Sequence, residues 1–190
     1  TIIFLPLVGA FFILFLIRGK DETTARNSRN AALWTSIATF LLSLLLWTNF
    51  DASKATFQFE EKHQWIEGYN ISYHLGVDGI SVFFILLSTF LTPICIVASW
   101  KSIQERVREY MIAFLFMETL MIGVFAALDF VLFYLFFEAV LIPMFLIIGI
   151  WGAESRVYAA FKFFLYTLAG SVLLLIAMLY IYFTADTTDI

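Results

Sequence analysis

One acidic residue, Glu138, lies inside a long apolar stretch, Phe130–Trp151, that holds no other charge. A helix of this length spans about 33 Å, enough to cross the ~30 Å hydrocarbon core of a bilayer, and places Glu138 roughly 12 Å from its first residue. A carboxylate at that depth costs on the order of 3 kcal/mol or more, and intramembrane acids are typically functional. The sequence therefore indicates that Glu138 is a candidate proton-carrying group.

The helix that carries Glu138 offers it no partner of opposite charge. The residues three and four positions away, which share its face, are Tyr134, Leu135, Leu141 and Ile142. A partner charge must therefore come from another helix. Pro143 removes the hydrogen bond to the Ala139 carbonyl and favours a kink, so a freed carbonyl beside the carboxylate would bind water or a proton. The alternative is a structural carboxylate whose pairing fixes the packing of the helices.

Two further ionisable residues, Glu118 and Lys162, interrupt other apolar stretches. Depth can be measured from the helix ends that are expected on the cytoplasmic or matrix side, called the inner ends. On this measure Lys162 lies ~8 Å deep, Glu118 ~12 Å and Glu138 ~20 Å. Such a series, rising from the inside toward the midplane, is what a proton entry path requires. Lys162 and Glu138 differ by roughly 12 Å in height, which argues against a direct ion pair. The alternatives are a snorkelling lysine and a glutamate that makes a helix-packing hydrogen bond.

The composition of the chain is that of a membrane protein. Hydrophobic residues make up 62% of the sequence and charged residues 14%, against about 25% charged in ordinary soluble domains. The mean hydropathy is +0.93. We therefore predict an all-α polytopic membrane protein, in which the placement of the charges matters more than the net charge of −4.

Six apolar stretches predict six transmembrane helices, at residues 2–17, 31–50, 79–100, 110–128, 130–151 and 157–185. The first stretch has no basic segment before it and no small-residue cleavage pattern after it, so we expect a transmembrane helix rather than a signal peptide. The predicted division is two helices within 1–50, a polar loop at 51–78 and four helices within 79–190.

The loop charges predict the orientation of the helices. Segments 18–30, 101–109 and 152–156 together hold eight Lys or Arg residues, whereas loop 51–78 holds two. Alternating helices place the first three segments on one side of the membrane and loop 51–78 on the other. The positive-inside rule assigns the three basic segments to the cytoplasm or matrix, and therefore places loop 51–78 on the outer face.

Loop 51–78 has the alternation of a β-hairpin. Phe57 and Phe59 alternate with polar residues, and so do Ile71, Tyr73 and Leu75 after the turn residues 67–68, Glu-Gly. Two such runs predict two paired strands on the outer surface. Because an isolated hairpin is marginal in water, we expect it to rest on helix ends or on a neighbouring subunit.

Motifs for metals, phosphates and nucleic acids are absent from the sequence. His63 and His74 share one loop without ligand-like spacing, and the single cysteine, Cys95, lies in an apolar run. There is also no glycine-rich phosphate loop, no nucleophile motif and no basic aromatic groove for nucleic acid. We therefore expect no metal and no redox cofactor in this chain, and no nucleic acid partner.

Three runs of sequence resemble a known family. They are HLGVDGISVFFILLSTFLTPICI (74–96), METLMIGVFAALDFVLFYLFFEAVLIPMFLIIGIWG (117–152) and YAAFKFFLYTLAGSVL (158–173). They resemble the M subunits of the proton-pumping NADH:quinone oxidoreductase, respiratory complex I, whose mitochondrial counterparts are NADH dehydrogenase subunit 4. The resemblance covers most of the chain from about residue 51 and is most specific in FFEAVLIPMF. It extends, less specifically, to the D subunits of multisubunit cation/proton antiporters.

The resemblance implies an antiporter-like fold built on two inverted repeats, of which this chain matches the first six helices and the outer-face hairpin. It implies an integral protein of the bacterial inner membrane or the mitochondrial inner membrane. Its partners would be the other membrane-arm subunits, including neighbouring antiporter-like subunits that the hairpin contacts. NADH, FMN, the Fe-S clusters and quinone would be bound by other subunits of the complex.

The resemblance also implies roles for the three ionisable residues. Glu138 matches the family's key glutamate of helix five, which pairs with a lysine on a broken helix seven. That lysine would lie beyond Ile190. Glu118 and Lys162 match acidic and basic positions that line the same hydrophilic axis.

Three classes of function are consistent with these features. The first is a proton-translocating subunit of complex I. The second is a D-type subunit of a sodium/proton antiporter, which would transport sodium without depending on NADH or quinone. The third is a structural membrane scaffold with inert buried charges, in which Glu138→Gln would leave transport intact.

Overall fold

A computed structural model of the chain describes residues 2–17, 19, 21–54, 56–66, 71–185 and 187–188. In these ranges the chain forms six α-helices and a two-stranded antiparallel sheet, preceded by a short 3-10 turn at Ile2–Phe4. The elements in chain order are α1 (Leu5–Leu16), α2 (Glu22–Thr48), β1 (Gln58–Ile66), β2 (Ile71–Val77), α3 (Ser81–Ala98), α4 (Val107–Ala126), α5 (Phe130–Trp151) and α6 (Arg156–Ala185).

Five helices in the described ranges, α2 to α6, are long and apolar enough to cross a membrane. The 3-10 turn and α1 together form a shorter apolar helix, Ile2–Leu16. Large apolar side chains are exposed along α6, among them Leu165 at 60% and Phe183 at 80%, as expected for a helix that faces lipid or further helices. The predicted fold class, an all-α polytopic membrane protein with a hairpin, is confirmed. The assignment of its two sides stays a prediction.

The start of α2 differs most from its prediction. This helix begins at Glu22 rather than at Ala31, so much of the basic segment predicted as a loop is helical. The Asp21 carbonyl accepts the Thr24 N–H at 3.0 Å and opens the first turn. Hydropathy marks only the apolar part of a helix, whereas the backbone hydrogen bonds continue into polar turns outside the hydrocarbon. The bounds predicted for α5 agree with the structure, and those of α6 agree within one residue.

The chain divides into two compact units, one of residues 1–50 and 82–122, the other of residues 51–81 and 123–190. Within the first unit, small and hydroxyl-bearing residues allow the helices to approach closely. A Cβ atom added to Gly9 would lie 2.4 Å from Cγ2 of Thr35. The hydroxyl groups of Ser43 and Thr89 are 2.8 Å apart and both are buried. Small side chains and interhelical hydroxyl pairs are the usual means by which helices associate in membranes.

Two arginines of the basic segments form hydrogen bonds within the first unit. Nη2 of the buried Arg29 donates to the Ile103 carbonyl at 2.7 Å. The Arg108 guanidinium donates to the carbonyls of Ile13, at 3.3 Å, and Leu14 in the last turn of α1. A cation at the C-terminal end of a helix satisfies free carbonyls and complements the helix dipole.

The hairpin belongs to the second unit, and its buried face is formed largely by β2. The two strands are antiparallel, and β1 carries a bulge at Phe59, where φ is +56°. The predicted turn at residues 67–68 lies outside the described residues. Ser72, His74 and Leu75 are buried, and the Leu128 N–H donates to the His74 carbonyl at 2.9 Å. The hairpin therefore rests on the connection between α4 and α5.

Asp78 closes the hairpin and starts the third helix. Its Oδ1 accepts the Ser81 N–H at 2.6 Å and the Ile80 N–H at 3.1 Å. The Asp78 N–H in turn donates to Oγ of Ser81 at 2.8 Å. This reciprocal arrangement satisfies amide groups that a helix N-terminus otherwise leaves free. The hydrogen bond from the Ser81 N–H holds the pKa of the Asp78 carboxyl below its ordinary value.

We expect Asp78→Ala to lower the free energy of unfolding of the protein in detergent by about 1 kcal/mol, because the first turn of α3 loses its cap. Since the folded-state pKa of Asp78 is depressed, the stabilisation is present above its ordinary pKa of 3.8 and is lost as the pH falls through the folded value. Unfolding measured across acidic pH checks both statements. The matched control is Asp78→Asn, which keeps an acceptor but loses this pH dependence. Equal stability of Asp78→Ala and wild type would contradict the prediction.

Candidate functional site

The candidate site is organised by α5, which holds Glu138 at mid-length. The helix continues without interruption through Pro143, from Phe130 to Trp151. Counted along the axis, Glu138 lies about 12 Å from the first residue and about 20 Å from the last. The structure therefore keeps the carboxylate inside the span, at the depth that the sequence predicts.

The N-terminal end of α5 is fixed by the fully buried carboxylate of Asp129. Its Oδ1 caps the helix and accepts the N–H groups of Val131 at 2.9 Å and Leu132 at 3.2 Å. Its Oδ2 accepts the Ser72 N–H at 3.2 Å from β2 and the Thr188 hydroxyl at 2.5 Å from the segment after α6. One carboxylate thus joins the hairpin, the start of α5 and the segment that follows α6.

The Glu138 carboxylate is not fully satisfied by the described residues. Tyr134 lies one turn earlier on the same face of α5. Oε1 of Glu138 is buried and has no hydrogen-bond partner among the described residues. Among the described residues, Lys54 forms an ion pair with Asp51, and Nε2 of His74 lies 3.5 Å from Oε2 of Glu60. Neither contact includes Glu138. The partner of opposite charge expected from another helix is not among the described residues.

Glu118 lies on α4, in the other compact unit, and is 1% exposed. Neither of its carboxylate oxygens has a hydrogen-bond partner in the described ranges. The packing hydrogen bond considered as an alternative is thus not present there. Because α4 begins at Val107, Glu118 lies about 16 Å from the N-terminal end of its helix, farther than the predicted ~12 Å.

Lys162 lies on α6, in the same unit as Glu138, and is exposed. Its Nζ is 5.8 Å from the ring centroid of Tyr158, which is the geometry of a cation–π contact. No ion pair within the described ranges joins Lys162 to Glu138, in agreement with the height difference predicted from the sequence. The snorkelling alternative stays open.

The sequence analysis missed Asp129, which positions the start of α5. An aspartate directly before a long apolar stretch is a signal for a helix N-cap, which identifies Asp129. Its contacts with Ser72 and Thr188 carried no such signal, because they depend on how the hairpin and the segment after α6 pack against α5.

An apolar groove of about 470 Å³ lies between the N-terminal half of α5 and the C-terminal half of α6. Tyr134, Tyr182 and Thr188 carry hydroxyl groups in a lining that is otherwise apolar. Within the described ranges, no group of three His, Cys, Asp or Glu side chains is arranged to hold a metal ion.

Comparison with known proteins matches residues 3–190 to two adjoining family descriptions. Residues 3–127 match the family described as "NADH-ubiquinone oxidoreductase chain 4, amino terminus". Residues 127–190 match the family described as "NADH:quinone oxidoreductase/Mrp antiporter, TM".

Individual relatives agree with the family matches. The NADH-quinone oxidoreductase subunit M of Rhodobacter capsulatus is 57% identical over 189 residues, which cover 100% of this chain and 36% of that protein. A chain of respiratory complex I from Thermus thermophilus superposes with a TM-score of 0.79 at 28% identity. The match covers 100% of the present chain and 38% of the Thermus chain. A chain of the Mrp complex from Dietzia sp. DQ12-45-1b shares the fold, with a TM-score of 0.80 at 17% identity. That match covers 99% of the present chain and 20% of the Dietzia chain. The present chain spans little more than a third of the length of the curated relative.

We expect Asp129→Ala to lower the free energy of unfolding by about 3 kcal/mol or more, because four donors lose their common buried acceptor. Asp129→Asn keeps one acceptor oxygen and should cost less. Unfolding in detergent, followed together with proteolysis of residues 58–77, checks this, since loss of the Ser72 contact should release the hairpin. A protected hairpin in Asp129→Ala would contradict the prediction.

Proposed function

Because the chain belongs to the NADH-ubiquinone oxidoreductase chain 4 family, we propose that the protein is a proton-translocating membrane-arm subunit of a complex I. Proton movement would be coupled to NADH oxidation and quinone reduction in the whole complex. The observation that carries this proposal is Glu138, a carboxylate inside a membrane-spanning helix with one buried oxygen that has no partner among the described residues. An intramembrane acid of this kind is suited to exchange a proton.

The proposed mechanism uses the electrostatics of a low-dielectric site. A carboxylate close to a buried lysine favours the charged, protonated lysine, and separating the two favours proton release. Glu138 would supply the carboxylate. The lysine would come from a helix beyond this chain, as the family resemblance implies. Changes relayed from quinone reduction would alternately close and open the pair.

Glu118 and Lys162 would belong to the path that delivers protons from the inner side. Glu118 is suited to this role because it is buried and both its oxygens lack a hydrogen-bond partner in the described ranges. Lys162 lies about 9 Å from the inner end of α6, where its ammonium group can reach the interface.

The redox chemistry would take place outside this chain. Its sequence contains no redox-centre motif, and we assign NADH, FMN, the Fe-S clusters and quinone to other subunits of the complex. The partners of the chain would be the other membrane-arm subunits, including neighbouring antiporter-like subunits, in a bacterial or mitochondrial inner membrane.

A second candidate function is that of a D-type subunit of a sodium/proton antiporter. It is favoured by the fold shared with a chain of the Mrp complex and by the family description that spans residues 127–190. Sodium-dependent proton transport that needs neither NADH nor quinone would distinguish it from the first.

We expect Glu138→Gln in the full-length subunit to abolish both NADH-driven quinone reduction and proton uptake, because a neutral amide cannot exchange a proton or hold a lysine protonated. Both rates are measured side by side on membrane vesicles that contain the assembled complex. The matched control is Glu154→Gln, which removes an exposed carboxylate between α5 and α6 and should leave both rates unchanged.

Wild-type rates in an assembled Glu138→Gln complex would contradict the proposal and favour the structural scaffold. Loss of sodium-driven exchange with normal quinone reduction would favour the antiporter instead.

A further inference from the structure

We propose that a polar cavity in the first compact unit binds the headgroup of a membrane phospholipid that carries both a phosphate and a primary ammonium group, a phosphatidylethanolamine. The cavity has a volume of about 460 Å³ and lies between the start of α2 and the start of α4. Its lining includes Asp21 and Thr24 on one side and Arg106, Arg108 and Glu109 on the other. The proposed proton path uses none of these residues, so the inference goes beyond the proposed function.

The cavity lies at the depth of lipid headgroups. Val107, in its wall, precedes the start of the apolar stretch of α4 at Tyr110 by about 5 Å. The headgroup region extends about 5–7 Å beyond the hydrocarbon on each side of a bilayer. At the end of the apolar stretch of α3, the Arg29 guanidinium lies 5.9 Å from the ring centroid of Trp100, and tryptophan is typical of this interface. A headgroup of the adjacent leaflet can therefore reach the cavity.

The start of α4 offers hydrogen-bond donors to a phosphate. The Arg106 carbonyl accepts the Tyr110 N–H at 3.1 Å, which makes Arg106 the N-cap of the helix. Because a guanidinium has no acceptor atom, this side chain cannot satisfy the N–H groups of the first turn. Those N–H groups and the helix dipole favour an anion, and the exposed Arg106 side chain can contact the same anion.

A buried guanidinium behind the cavity wall adds positive charge. Arg29 is only 9% exposed, and its Nε has no hydrogen-bond partner among the described residues. Its side chain leans toward the N-terminus of α2, and thus toward Ala25 in the wall, and its Nη2 donates to Oε1 of Gln104, another wall residue, at 3.2 Å. No ion pair within the described ranges joins Arg29 to a carboxylate. A buried cation without a carboxylate is costly, so its position favours a phosphate in the cavity.

Two carboxylates in the same lining disfavour a simple anion. Asp21 and Glu109 are exposed, and the Asp21 side chain does not cap α2. Together with Arg106 and Arg108 they balance the charges of the described lining, and a headgroup with a phosphate and an ammonium group satisfies both signs. The ammonium group must carry hydrogens, because carboxylates accept hydrogen bonds and a quaternary choline group has none to donate.

Gly19 keeps the cavity open. Its φ of +131° lies in a region that L residues rarely adopt, and a Cβ atom there would lie 2.7 Å from Oγ1 of Thr24. Both residues line the cavity. A side chain at this position would therefore strain the backbone and narrow the space assigned to the headgroup.

The test is hydrogen exchange, followed by mass spectrometry, of the assembled complex with the full-length subunit in detergent. Phosphatidylethanolamine, phosphatidylcholine, phosphatidylglycerol and inorganic phosphate are added in separate experiments. We expect phosphatidylethanolamine to slow the exchange of the first-turn amides of α4, residues 107–109, about tenfold, because charge-assisted hydrogen bonds protect them. The other three additions should leave that exchange nearly unchanged.

Three variants locate the site. Arg106→Gln should abolish the protection, whereas Arg26→Gln, the matched control, should keep it, because Arg26 is an exposed arginine of α2 outside the lining. Glu109→Gln should weaken the protection by phosphatidylethanolamine and strengthen that by the anionic phosphatidylglycerol, because the described lining then carries a net positive charge.

Absence of protection by phosphatidylethanolamine in the wild type would overturn the proposal. Equal protection by inorganic phosphate would show a site for a small anion, and equal protection by phosphatidylcholine or phosphatidylglycerol would show that the ammonium group is not recognised; either result overturns it. Protection that survives in Arg106→Gln does so as well. If Arg106→Gln does not assemble, an unchanged lipid preference in Glu109→Gln overturns the proposal instead.

Discussion

Hydrocarbon supplies no water to a polar group, so a carboxylate in a membrane-spanning helix depends on donors that the protein provides. Asp129 has such donors, because its two oxygens accept four hydrogen bonds and the side chain is fully buried. Buried oxygens of Glu118 and Glu138 lack a partner among the described residues, and these are the carboxylates that we propose to exchange protons. The difference in hydrogen bonding separates a carboxylate that stabilises the fold from carboxylates suited to carry protons.

Asp129 also fixes the helix that carries Glu138. Its carboxylate and the 2.8 Å hydrogen bond from the Phe130 N–H to the Thr188 carbonyl tie the N-terminal end of α5 to the segment that follows α6. Nearer the C-terminal end of α5, Phe145 packs edge-to-face against Phe161 and Phe164 of α6. Contacts at both ends therefore hold α5 against α6.

Hydropathy and turn chemistry predict much of this arrangement. The bounds of α5 follow from a long apolar run, and the hairpin follows from period-2 alternation. Both are local signals in the sequence. The early start of α2 does not follow, because its first turns are polar and are held partly by tertiary bonds such as that from Arg29 to the Ile103 carbonyl. Glu138 stands out as a charge in an apolar stretch, whereas the contact of Thr188 with Asp129 depends on how the segment after α6 packs against α5. The sequence thus predicts which group is expensive to bury, and packing decides which groups surround it.

The central claim is that Glu138 exchanges a proton while Asp129 does not, and infrared difference spectra of the assembled complex between two pH values measure this without depending on turnover. One component of the protonated-carboxyl band that changes with pH in the wild type should persist in Asp129→Asn and be missing in Glu138→Gln. An unchanged band in Glu138→Gln, or loss of that component in an assembled Asp129→Asn complex, would contradict the claim.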